Sequence, residues 1–312
     1  MELMHHYSTV VYATFTCDPI IQPMFQARVA RVALKCDYLL KTILAITALH
    51  MARSKSDKKE KDIYLATALD YYQNALQQAT PLLLNLQEGD EEVLNLYFFS
   101  SFTIIYVLGS PPQETPTPAD PLFGATLFPE WLFLIRGTKS IRPMVVEWDD
   151  ELKIMFATYG ERWVATHPKE LPPSRDQDAL DTLVGLLKDS VHDETKLDIY
   201  VRTVNHMRGI YHIIAFKPHG YVDLSDLFTW IYEVNEDFFP LLEMPTQEAL
   251  AVFAYFCVLF KRSEFHFWLE GWADRLIRRV KGLVDREHEG WIAWPVEEIE
   301  RAGGCGIAMD TR

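Results

Sequence analysis

Residues able to do chemistry are few in this chain, and their spacing excludes more than it supports. The four cysteines, Cys17, Cys36, Cys257 and Cys305, form no CxxC pair and match no zinc or disulfide-framework spacing, so they read as reduced thiols. His5 and His6 are adjacent, which on a helix turns them about 100° apart, too far to share one metal. His206 and His212 are six residues apart and fall on poorly matched helix faces. The carboxylate pairs Asp149-Asp150 and Glu297-Glu298 are sequence neighbours and read as solvated. No HExxH, GxSxG or P-loop occurs, and no GxGxxG in a strand-to-helix context. Gly303-Gly304-Cys305-Gly306 has no helix after it and reads as a flexible tail first and a mobile flap second. No aspartate-rich diphosphate motif lies on an apolar helix, which argues against an ionising terpene cyclase. The residues therefore call for no metal and no cofactor. What remains is a lone polar group, His50, Thr103 or His266, orienting a hydroxyl on an otherwise apolar molecule.

The elements that would position such groups are helices. Glycine is sparse, at 14 residues, aromatics reach 13%, and apolar residues recur at three- and four-residue spacing with little alternation. The pattern predicts an all-α, single large multi-helix domain of about ten helices over residues 1–312, with an internal apolar pocket. Residues 38–52, 93–108 and 250–260 are apolar on every face, so each must lie inside protein or against a ligand. Residues 127–146 form a further apolar helix, broken at Gly137. Ser263 is placed to cap a helix carrying Phe265, Trp268, Leu269, Trp272, Leu276, Ile277, Val280 and Leu283. Residues 54–61, SKSDKKEK, read as a solvated turn and helix start, and Pro81 as the point where that helix bends or restarts. The Pro-rich segment 109–121 reads as an exposed loop and the clearest internal seam, 167–173 as a second proline-bearing loop, and 300–312 as a Gly-bearing tail.

Helices apolar all round serve core packing equally well as a pocket. Under the pocket reading, the lining comes from Ile43 and Ile46, from Phe98, Phe99, Phe102, Thr103 and Tyr106, and from Trp131, Leu132 and Ile135. The C-terminal part adds Phe253, Phe256, Phe260, Phe267, Trp268 and Trp272. Ser100, Ser101 and Thr103 are the hydroxyls of the 93–108 helix; such groups usually bond back to the backbone, and the alternative is that one meets a ligand.

The formal net charge of −14 disfavours direct contact with nucleic-acid phosphates. No signal pattern opens the chain and charges interrupt the apolar runs before spanning length, which predicts an intracellular protein, cytoplasmic or nuclear, without a membrane span.

Four segments, in order, resemble the C-terminal regulatory region of fungal zinc-cluster (Zn2Cys6) transcription factors of the sterol uptake control type. ELMHHYSTVVYATF is similar to the opening helix and YLLKTILAITALHMA to an ALH-bearing helix that follows. WLFLIRG is similar to a WLxLLRG segment, and WLEGWADRLI with WIAWPVEEI to the close of the domain. The resemblance runs from Glu2 to Ile299 and implies an all-α homodimer that holds ergosterol or a related lipid in an apolar pocket. It also implies a glycine-rich flap, for which Gly303, Gly304 and Gly306 stand in a comparable place although the sequence after Ile299 departs from the pattern. The family's six-cysteine DNA-binding module is not in this sequence, so the chain is either an excised domain or a stand-alone protein.

Two functions are then open. One is sensing a sterol or terpenoid as the regulatory region of a transcription factor. The other is an enzyme of secondary metabolism that reuses the pocket for a cofactor-free cyclisation or pericyclic, Diels-Alder-type reaction of a terpenoid or polyketide, by orienting reacting ends and donating to a carbonyl from His50, Tyr106, His212 or His266.

Overall fold

Apolar runs at three- and four-residue spacing become helices throughout the computed structural model, which describes residues 1–111, 131–145, 150, 152–153, 174–216, 224–243 and 245–304. Among these residues the chain is all-α, without a strand. Segments 112–121 and 167–173 and the tail from 305 onward lie outside the described residues. The described residues fall into two compact units. The first comprises those of Met1–Gly124 and Pro129–Ala157 with His266–Trp268, the second those of Thr158–Phe265 and Leu269–Arg312.

The first unit contains α1 (Glu2–Thr9), a 3-10 turn Val11–Thr14, a π-helical stretch Met24–Val29 running into α2 (Ala30–Ala33), α3 (Asp37–Ser54), α4 (Lys58–Leu84), α5 (Val93–Gly109) and α6 (Trp131–Ile141). Asp57 caps α4 by accepting from the amides of Lys59 and Glu60 at 2.8 and 3.0 Å, which is why the charged run starts a helix. Every fully buried residue of α4 is an alanine, Ala68, Ala75 and Ala79. These small buried side chains let α4 pack closely on its neighbours, chief among them α3.

Pro81 does not restart α4, which continues through it to Leu84. The proline lies near the helix end, and the carbonyl it leaves without an amide donor is that of Gln77. Asn85 Nδ2 donates to the Pro81 carbonyl at 2.7 Å, one of the acceptors the helix end leaves open. Nor does Gly137 break α6. An exposed glycine lowers helix propensity by roughly 1 kcal/mol, too little to stop a helix held on both sides. Val93, Tyr97, Ile141 and Val145 form a core cluster here, with Leu83, Leu86, Leu94 and Met144 packed on it.

The second unit contains α7 (Arg175–Ser190), α8 (Glu194–Phe216), α9 (Leu224–Glu233), α10 (Asn235–Glu243), α11 (Gln247–Lys261), α12 (Trp272–Lys281), a 3-10 turn Glu289–Ile292 and α13 (Ala293–Gly304). Ser174 and Thr246 cap α7 and α11, accepting from the amides of Gln177 and Ala249. All twelve residues from Ala249 to Phe260 are buried. Trp230 stacks on Phe256 with ring centroids 3.9 Å apart, and its indole N–H donates to the Thr203 carbonyl at 3.1 Å.

Ser263 does not cap the next helix. Its hydroxyl donates to the Leu259 carbonyl at 2.8 Å, finishing α11 instead, and turns follow until α12 begins at Trp272. Gly271 supplies the left-handed residue, φ 76°, that this corner needs, and its amide donates to Glu264 Oε1 at 3.1 Å. Arg262 forms a bidentate pair with Asp176 at 2.7 and 2.8 Å and lies over the Tyr211 ring at 5.1 Å, tying α11 to α7 and α8. The glycines 303 and 304 form the last turn of α13.

Candidate ligand-binding site

The polar groups anticipated from the sequence have distinct fates. Helix hydroxyls normally bond to the carbonyl four residues back, and here Thr42, Thr47, Ser101 and Thr203 do so at 2.7–2.9 Å. Thr103 breaks the pattern. It is only 6% exposed, and its Oγ1 turns to the Tyr72 phenol of α4 and not to its own helix. Burial pushes the Tyr72 phenol above its ordinary value, and the Thr103 hydroxyl offsets part of that rise.

One turn on, Tyr106 stacks on Tyr72, centroids 3.9 Å apart and planes 16° from parallel. Burial pushes its phenol up to about 12, against a smaller opposing effect of the Ser110 hydroxyl. Gly109 follows at the same three-residue step. A Cβ there would stand 3.1 Å from Trp268 Cβ, so the missing side chain is what lets the tryptophan sit against α5. The buried indole N–H of Trp268 has no hydrogen-bond acceptor. Thr103, Tyr106 and Gly109 thus form one ridge of α5, faced by Tyr72 and Trp268.

His50 is engaged elsewhere in the first unit. Its Nδ1 lies 3.0 Å from His6 Nε2, so one neutral ring donates and the other accepts, and its ring meets Phe267 edge-on at 4.9 Å. Burial, then the neighbouring His6 and Arg53, hold His50 down to about 4, so it is neutral at physiological pH. His266 is buried. Its Nδ1–H donates to the Thr14 carbonyl at 2.6 Å and its ring lies along Trp268 at 5.0 Å. His212 belongs to the second unit, where burial lowers its pKa. Of the four residues proposed as donors to a reacting carbonyl, three are therefore held by different neighbours: His50 by His6, His266 by Thr14, Tyr106 by Tyr72.

Among the apolar candidates, Ile43, Ile46, Phe98, Phe99, Phe102 and Ile135 are buried in the first unit and Phe267 is partly buried there. Phe102 meets Phe15, Phe25 and Phe98 at 5.3–6.3 Å, and Phe99 meets Tyr38 edge-on at 5.7 Å. Phe253, Phe256, Phe260 and Trp272 are buried in the second unit. The side chains of Trp131 and Leu132 lie outside those described. The sequence has no signal that pairs His6 with His50, which sit 44 residues apart, and Tyr72 shares its helical spacing with the apolar positions Ile63, Leu65, Leu69, Leu76 and Ala79. A tyrosine among aliphatic residues at helical spacing was the one signal that could have singled it out.

Residues 2–105 match the family described as the fungal specific transcription factor domain. A Zn(2)-C6 fungal-type transcription factor of Gibberella zeae is 22% identical over 99% of this chain and 63% of its own length. The Zn(2)-C6 fungal-type transcription factor afumD of Aspergillus fumigatus is 23% identical over 85% of this chain and 68% of its own length. The chain thus spans less than two thirds of the Gibberella zeae protein, and neither relative is named for an enzyme activity. Helix α1 to most of α5 lies inside the matched region, and over that stretch the chain is similar to the fungal specific transcription factor domain.

Proposed function

We propose that this chain is the ligand-sensing regulatory region of a fungal transcription factor, taking up a hydrophobic polycyclic small molecule, a sterol or terpenoid, between its apolar helices. The observation that carries the regulatory role is the likeness of 99% of the chain to a transcription factor, in a chain whose net charge of −14 suits it poorly to contact DNA itself. Ligand uptake is supported by α3 and α5, whose surfaces are apolar nearly all round, and homodimerisation by the resemblance alone. Burial of the ligand's rings supplies affinity at about 25 cal/mol per Å² before the costs of association.

Native mass spectrometry of the purified chain with ergosterol, and with an organic extract of a fungal culture, tests this. One unchanged apolar molecule retained per chain is expected. Retention of nothing from either source overturns ligand sensing, and appearance of an isomer of equal mass overturns sensing in favour of turnover.

A further inference from the structure

We infer that the outward face of α4 is the interface between two copies of this chain, which lie antiparallel across a two-fold axis passing between Leu69 and Leu76. The inference gives a surface to the homodimer of the reading above, which rests there on resemblance, and it does not depend on ligand uptake.

Its basis is where charge is missing and where it collects. A helix facing solvent normally fills its outer side with charged residues. Only alanines of α4 are fully buried and most of its 27 residues are exposed, yet Asp70 is the sole charge from Ile63 to Gln87. Leu69 and Leu76, seven residues apart and so on one face, are 49% and 40% exposed. The exposed positions around them, Ala66, Gln73, Gln77 and Thr80, are neutral. Loss of charge with retention of leucine is the composition of the centre of a protein interface, not of a solvated face.

Charge gathers instead at the two ends, opposite in sign. At the start, Lys58, Lys59 and Lys61 are exposed and make no ion pair among the described residues. Glu60 is taken by Lys55 at 3.3 Å and Asp57 by the helix cap, so Asp62 alone remains to oppose the three lysines. Just beyond the other end, Glu88 and Glu91 are exposed, also without an ion pair among the described residues, with Asp90 beside them. The lysines lie about 20 Å from the axis on one side and the helix end about 17 Å on the other. An antiparallel copy therefore brings lysines against acids at both ends at once, whereas a parallel copy would set like charge on like. Two chains of net charge −14 repel except where charge is absent or matched, and this face offers both. The helix is about 40 Å long, and a strip about 10 Å wide along it gives on the order of 400 Å² per partner, the size of a weak, reversible complex.

Sedimentation velocity over a wide concentration range, at low and high salt, tests this on the full chain. The proteins compared are wild type, Leu69→Glu/Leu76→Glu, Lys58→Glu/Lys61→Glu and Glu88→Lys/Glu91→Lys, each checked for folding by circular dichroism. Wild type is expected to pass reversibly from monomer to dimer, less readily at high salt, and the leucine variant to stay monomeric. Each charge variant should dimerise about tenfold more weakly at low salt, and an equimolar mixture of the two should recover the wild-type dimer, since each then meets its opposite. Wild type monomeric throughout overturns the inference and homodimerisation together. A leucine variant that dimerises like wild type puts the dimer on another surface, and a mixture no stronger than its components overturns the antiparallel arrangement. Should the leucine variant fail to fold, the charge variants decide alone. Ergosterol retention on the same samples reports separately on ligand sensing: a chain that dimerises through α4 without holding the probe keeps this inference and loses that reading.

Discussion

Helices α5 and α11 look alike in sequence, each apolar on every face, yet they differ in how their polar groups are settled. Around α11 most of the accounts close. Thr246 caps its start and Ser263 bonds back at its end. The Tyr211 hydroxyl donates to the Tyr255 carbonyl at 2.9 Å, and Trp230, stacked on Phe256, donates to Thr203. The exception is Trp294, whose ring stacks on Tyr255 at 5.0 Å and whose buried indole N–H has no acceptor. Around α5 the corresponding group is the facing indole of Trp268, while Thr103 turns to the Tyr72 phenol of α4 and not to its own helix. The polar groups of one apolar helix are thus settled mainly by its own backbone, and those of the other in part by a side chain from the neighbouring helix.

The comparison is most severely tested in the closed core. Phe256→Ala removes the ring stacked on Trp230 and should cost about 3–5 kcal/mol, read by urea unfolding followed by circular dichroism, with probe retention by the folded protein unchanged. Asp176→Asn breaks the bidentate pair and leaves the Arg262 guanidinium, only 23% exposed, without its carboxylate. A loss of about 2–3 kcal/mol is expected by the same measurement. If either change instead weakened ergosterol retention at unaltered stability, the second unit would be the ligand site and the contrast would collapse.

Smaller effects sharpen it. His50 has a folded-state pKa near 4 against an ordinary value of 6.5. The unfolded chain therefore binds the proton more readily, and the stability this group contributes is present above pH 6.5 and is lost as pH falls from there toward 4. At pH 5 the loss should be about 1 kcal/mol after allowance for solvent screening, and His50→Gln should flatten that part of the stability–pH curve. Least in size, Thr47→Val removes a hydroxyl bonded at 2.7 Å and should cost about 0.5–1 kcal/mol in the same unfolding measurement.

Much of the helical framework was readable from periodicity, because burial of one or all faces is what periodicity reports. The runs at 38–52, 93–108 and 250–260 fall inside α3, α5 and α11. Errors arose where a short-range signal competed with a neighbouring one. Ser263 has the right identity for a cap but spends its hydroxyl on the preceding helix. Pro81 and Gly137 are breakers in type, and their helices absorb them, one by lying near an end and the other by the small size of the penalty. The site was legible only as a short set of candidates. Nothing in FFSSFTIIY tells Ser101, which bonds back to Tyr97, from Thr103, which turns to the Tyr72 phenol, since the difference is made by what α4 brings alongside. The His6–His50 contact depends on α1 meeting α3 and has no local signature.

The alanine face of α4 has a consequence for how this chain can change over time. Ala68, Ala75 and Ala79 are the buried positions of α4, and enlarging any of them would force the helix away from the protein it packs on. Most of the helix's remaining surface is exposed and free to drift without moving the backbone. A helix built this way can be rewritten over most of its length while three small residues keep its place in the fold.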